Sequence, residues 1–228
     1  MGEAKKAILP LLLVSFIPTI SILFTLGYNH DQLISQSFFI ACKIWILLVP
    51  AYWYLKVEGN TPTQSLPQRD GIIMAVITGI LMSIIILVTW FLFEDTINTE
   101  SIIIELESTG LTNTKIYLAG MIYWIFLNSL LEEYVFRWFV TTKGIELLGS
   151  EMRGIALSAL LFTLHHTIAL HLYGFVWWQT LIASFGLISA AAIWSWLYLN
   201  YRSILVCWLS HAICDVAVFG LGYFIIFT

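Results

Sequence analysis

Nine ionisable side chains interrupt the apolar stretches of this sequence: Lys43, Glu132, Glu133, Arg137, His165, His166, His171, His211 and Asp215. At the centre of a membrane helix such a group costs about 2.5–3.5 kcal/mol on insertion scales, so each needs a partner or a task. Glu133 and Arg137 are four apart, share one helical face and can pair. Glu132 is turned about 100° from Glu133 on a helix of 3.6 residues per turn, so it is free to point elsewhere. Two adjacent carboxylates with one arginine provide the asymmetry that separates their protonation behaviour. His211 and Asp215 also lie four apart on one face, so the aspartate can orient the imidazole. Between these sits Phe162-Thr163-Leu164-His165-His166. A carboxylate beside a neutral histidine can take a proton from water and release a nucleophile for an acyl carbon. A second polar pair across the pocket can stabilise the oxyanion that follows. Peptide hydrolysis needs both. The plainer alternatives are a buried ion-pair clasp for Glu133 and Arg137, a self-contained hydrogen-bonded pair for His211 and Asp215, and a packing role for His165. His171, near a helix end, reads as bland, and Lys43 receives no role.

These groups must be held by a membrane architecture. The chain has 228 residues, 60% hydrophobic and 11% charged, where soluble domains carry about 25% charged residues. Mean hydropathy is +0.89. Such a chain needs the bilayer as part of its solvent. A net charge of −4 without a basic stripe excludes nucleic acid as a partner class. The three cysteines, Cys42, Cys207 and Cys214, lie in apolar runs without a CxxC pair, so neither a disulfide framework nor a zinc site is indicated. Cys207 lies four before His211, a spacing that permits a thiol contact, but a buried cysteine is usually a small hydrophobe.

Seven apolar segments have the length of a spanning helix. They run from Ala7 to Gly27, Leu33 to Leu55, Gly71 to Phe93, Ile116 to Val140, Arg153 to Tyr173, Trp177 to Leu199 and Ile204 to Phe227. The first follows a short charged start, Met1 to Lys6, has no small-residue cleavage pattern and reads as a retained helix. The fifth and sixth nearly merge at Gly174, where an eighth, half-length element would fit. Ser101 to Leu106 reads as an interfacial helix or as an ordinary loop. Lys5, Lys6, Lys56, Arg69, Lys143, Arg153 and Arg202 fall on one set of loops, whereas Glu94 to Thr114 holds five carboxylates and no base. By the positive-inside rule the N-terminus is cytoplasmic and the C-terminus outside. The expectation is an all-α, polytopic bundle of about seven helices forming a single integral-membrane domain over residues 1–228. At about 1.5 Å per residue, Glu132, His166 and His211 fall roughly 12, 20 and 10 Å from the cytoplasmic ends of their segments, which predicts one polar cavity in the cytoplasmic half.

Three motifs occur in order on three of these segments: EExxxR (Glu132, Glu133, Arg137), FxxxH (Phe162, His166) and HxxxD (His211, Asp215). Together they resemble the CAAX protease and bacteriocin-processing (Abi) family over about Ile116 to Phe219, the expected catalytic core. The resemblance implies a glutamate-dependent intramembrane endopeptidase, no cofactor is expected, and the short, unadorned chain points to a prokaryotic plasma membrane. Its substrate is a membrane-associated peptide or protein. In that picture Glu132 and His166 activate water, His211 and Asp215 line the oxyanion site, and Glu133 and Arg137 support them. One departure stands out: the family's prenyl-protein peptidases tend to have asparagine where this chain has Asp215. An ionised aspartate cannot donate to an oxyanion, so Asp215 either is protonated or orients His211. Three other classes fit some of the residues. A zinc peptidase would use Glu132, His166, His211 and Asp215 as ligands, although HExxH is absent. A non-catalytic peptide-binding or immunity protein of the same family needs no chemistry. A proton-coupled transporter would use the same groups as a relay, but no inverted repeat is visible.

Overall fold

A computed structural model describes residues 3–28, 31–61 and 65–228. Residues 1–2 of the charged N-terminal stretch and residues 29–30 of the Tyr28–Gln32 loop lie outside that description. Among the described residues there is no strand, and seven helices are long and apolar enough to cross a membrane. They are α1 (Lys6–Tyr28), α2 (Gln32–Val57), α3 (Arg69–Thr96), α5 (Thr114–Leu148), α6 (Glu151–Leu172), α7 (Trp177–Tyr201) and α8 (Ile204–Phe227). A ten-residue helix, α4 (Thr99–Ser108), lies between α3 and α5. It covers the Ser101–Leu106 stretch that read as either a helix or a loop.

Local chemistry sets the boundaries. Asp31, Asn98 and Asn113 each accept a backbone N–H of the first turn of α2, α4 and α5, the usual satisfaction of orphaned helix donors. Gly149, at φ 68°, closes α5 in the left-handed region that glycine enters without a Cβ penalty. Gly174, at φ 90°, separates α6 from α7, so a turn and not an eighth element occupies that position. Helix α5 continues past Val140 to Leu148. Its extension is anchored by buried Lys143, which pairs with Glu58 at 2.5 Å and Glu146 at 2.8 Å, and by Gly144, which rests on the backbone of Gly154 in α6. Glu132 is therefore about 24 Å from the end of its helix by the rise of the α-helix, not about 12 Å.

The bundle is polar at its centre and apolar at its surface. Ile72, Ile73, Ile77, Ile80, Leu81, Ile84 and Ile85 of α3 are exposed, whereas Glu132, Glu133, Arg137 and His211 are buried. With lipid outside, helix association relies on close packing of small residues and on interhelical hydrogen bonds. At Gly79 of α3 an added Cβ would meet Ser210 O at 3.0 Å and Ile213 Cβ at 2.9 Å of α8. Thr78 and Ser210 hydroxyls bond at 2.9 Å across the same contact. Trp194 of α7 donates to Ser210 as well, at 3.2 Å. Helices α3, α7 and α8 are thereby locked around the residues next to His211.

Helix α5 departs from regular α geometry on both sides of Glu132. Tyr123–Asn128 and Glu133–Val140 are π-helical, with only the α turn Ser129–Glu132 between them. The widened turns enlarge the inward face. Glu132, Glu133, Val135, Phe136, Arg137, Phe139 and Val140 are all buried, more than an α-helical stripe of that length would bury. Such π segments commonly mark functional stretches.

Candidate active site

The three motifs converge on one cavity of about 370 Å³. Glu132, His165, His166, His211 and Asp215 line it, with Lys43 of α2 and Asn128 of α5. Glu133 and Arg137 lie behind it, fully buried.

Glu132 is held from its own helix and from α2. Asn128 Nδ2 donates to Glu132 Oε1 at 2.8 Å, and Lys43 Nζ donates to Asn128 Oδ1 at 2.5 Å. The second oxygen, Oε2, lies 4.0 Å from His211 Nε2. Glu132, His165 and His166 each place one ligand-capable atom within 4.8 Å of the others. His166 Nδ1 lies 3.0 Å from Phe162 O. A carbonyl only accepts, so Nδ1 carries the proton and Nε2 holds the lone pair. In the neutral ring Nε2 is then the nitrogen left free to accept.

Glu133 has a different environment. Arg137 Nε donates to both its oxygens, at 3.3 and 3.1 Å, and His211 Nδ1 donates to Oε1 at 2.9 Å. That last bond fixes the His211 tautomer and turns Nε2 toward Asp215 Oδ1, 3.5 Å away. Trp194 stacks on the His211 ring at 4.0 Å and 18°. The imidazole is thereby fixed in plane and rotation before any substrate arrives.

Arg137 Nη1 and Nη2 are buried without a hydrogen-bond partner. Aromatic faces surround the guanidinium instead: its Cζ lies 4.6 Å from the Phe162 centroid, 5.4 Å from Trp194 and 5.9 Å from Phe136. A desolvated cation–π contact is worth about 2 kcal/mol, which compensates the charge where no oxygen reaches it. The FxxxH phenylalanine thus serves the arginine as well as the histidine.

The sequence reading singles out Glu132, Glu133, Arg137, His166, His211 and Asp215, and the structure brings all six together. His165 joins them, its ring stacked on Phe136 at 5.7 Å and lining the cavity. Asn128, Lys43 and Trp194 are also part of the assembly. His171 is exposed and stands apart. Cys207 faces the backbone oxygen of Trp194 at 3.3 Å and does not line the cavity.

No curated protein and no solved structure matches the chain. Residues 114–217, the segment that contains all three motifs, match the family model described as Type II CAAX prenyl endopeptidase Rce1-like, and it is to that family that this segment is similar.

Proposed function

We propose that this chain is an intramembrane endopeptidase that hydrolyses a peptide bond with water activated by Glu132 and His166. The observation that carries the reading is the asymmetry of the two carboxylates. Glu133 is consumed by Arg137 and His211, whereas Glu132 keeps Oε2 toward the cavity. A water between Glu132 Oε2 and His166 Nε2 loses a proton as its oxygen attacks the scissile carbonyl. The oxyanion forms opposite, where His211 acts as an imidazolium: Nδ1–H stays on Glu133, Nε2–H donates to the oxyanion, and Asp215 orients the ring. The proton then passes to the departing amine. Glu133 and Arg137 hold α5 and the His211 ring in position. The N-terminus is cytoplasmic and the C-terminus lies outside, a reading that the distribution of Lys and Arg among the loops supports. The chain acts as a single membrane domain over residues 1–228, with its catalytic core in 116–219. Detergent-purified protein incubated with membrane-proximal peptides should release products with new termini, and Glu132→Gln should lower the rate by about 10²–10⁴-fold while its thermal unfolding stays intact. Equal cleavage by both proteins would remove Glu132 from the mechanism.

A second reading is favoured by one observation. Glu132, His165 and His166 form the group of metal-ligating type among the described residues, two imidazoles and one carboxylate that fit a catalytic zinc. His165 Nδ1, buried without a partner, adds to it. Cleavage that survives a chelator sinks the metal reading. Cleavage abolished by chelator and restored by zinc replaces the metal-free mechanism.

A further inference from the structure

The cavity reaches one end of the bundle and is closed toward the other. Its deepest lining residues are Phe136 of α5, Ile46 of α2, His165 of α6 and His211 of α8. Below them the interior is filled by Phe139, Phe162, Trp194, Leu197 and Val206, all buried. Above them the lining continues through Tyr117 near the start of α5, Tyr173 just past the end of α6, and Gly222 and Ile226 near the end of α8. Leu106 of α4 and Leu111 of the loop after it complete the rim. From Tyr117 to Glu132 along α5 is about 22 Å by helical rise, so the space is a shaft with an apolar mouth.

That mouth has a defined side. Residues 94–114 at this end carry Glu94, Asp95, Glu100, Glu105 and Glu107, with Lys115 the first base after them. The opposite end carries Lys56, Arg69, Lys143, Arg153 and Arg202. Juxtamembrane Lys and Arg are retained in the cytoplasm, and Asp and Glu contribute little to orientation, so the basic end decides.

We infer that the shaft opens to the non-cytoplasmic face, so the substrate of the proposed peptidase is an exported or outward-displayed polypeptide segment that enters past Leu106, Leu111 and Tyr173. The inference rests on the peptidase reading for its substrate, but the side of the mouth is a matter of geometry and charge alone. The mouth's apolar lining selects an extended segment with hydrophobic side chains. A separate groove at the opposite end, lined by Tyr54, Leu131, Tyr134, Trp138 and Arg202, does not include Glu132, His166, His211 or Asp215.

The two parts separate in one experiment. Leu111→Cys and Ile226→Cys report on the mouth and Ser65→Cys on the opposite end. Each is expressed and treated with a membrane-impermeant maleimide in intact cells and in inverted vesicles. The expected result is labelling of Leu111→Cys and Ile226→Cys in intact cells and of Ser65→Cys in inverted vesicles, above the wild-type background. The reverse pattern overturns the inference whether or not the protein is a peptidase. In parallel, an impermeant peptide cleaved by detergent-solubilised protein is offered to spheroplasts and to inverted vesicles. Cleavage at least 10-fold faster by spheroplasts is expected, and faster cleavage by inverted vesicles overturns the substrate class. Outward labelling with no cleavage even in detergent sinks the peptidase reading while the side of the mouth stands.

Discussion

Glu132 and Glu133 are neighbours in sequence with opposite surroundings. One accepts from Asn128 and faces the cavity; the other is enclosed by Arg137 and His211. Removing the arginine would leave Glu133 without its cation in a site that excludes water. Breaking a buried pair in this way costs about 3–5 kcal/mol, so Arg137→Met should markedly lower the unfolding temperature in detergent. Arg137→Lys should recover only part of the loss, because an ammonium cannot repeat the planar contact with three rings. An unchanged unfolding temperature in Arg137→Met would contradict the clasp. Asn128 acts through Glu132, so Asn128→Ala should reduce kcat about 10–100-fold with little change in KM, and Asn128→Asp should not rescue it because it has no donor for Oε1. A rise in KM alone would assign Asn128 to substrate binding. Much of this was legible from spacing. Glu133 with Arg137 and His211 with Asp215 stand four apart, and so do Asn128 and Glu132. The choice between His165 and His166 was not legible, because adjacent residues on one helix differ only by rotation. Lys43 was not legible either: its partner Asn128 is 85 positions away, and only the fold brings them together.

At the scale of elements, the site depends on α5 being wound loosely and packed tightly. Its π turns widen the inward face around Glu132, and its extension beyond Val140 is clamped against α6. An added Cβ at Gly154 would lie 2.4 Å from Ile145 Cγ1, 2.9 Å from Ile145 N and 3.1 Å from Thr141 O. Backbone atoms cannot yield as a side-chain tip does, so Gly154→Ala should destabilise the protein by about 1–3 kcal/mol, read as a lower unfolding temperature in detergent. Wild-type stability in that variant would show that α5 and α6 separate freely. Hydropathy located every spanning helix, because twenty apolar residues are a strong signal. It ended α5 at Val140 because Lys143 and Glu146 look like loop residues when their partners are unseen. The π turns left no mark in the apolar pattern.

At the scale of the whole molecule, Lys and Arg gather at one end, the stretch 94–114 at the other carries carboxylates without a base, and a compensated cluster lies in the middle. An odd number of candidate spans, seven, together with the positive-inside rule predicts a C-terminus outside. A periplasm-active phosphatase fused after Thr228 should therefore be active, and a fluorescent protein that folds only in the cytoplasm should be dark there. The reverse result would invert the orientation and turn the shaft toward the cytoplasm. The expected orientation comes from the loops alone, because lysine and arginine are so unevenly shared. The shaft was not legible, because which helices part and which close is decided by residues such as Phe162 and Trp194 that read as ordinary apolar positions.

The central claim is that Glu132 and His166 act on one water. The most direct measurement is the single-turnover cleavage rate of Glu132→Gln, His166→Ala and the double variant against wild type. Groups that act as a unit lose their effect together, so each single variant should fall by about 10²–10⁴-fold and the double variant should be no more than a few-fold slower than either. Losses that multiply in the double variant, or a single variant that keeps the wild-type rate, would contradict it.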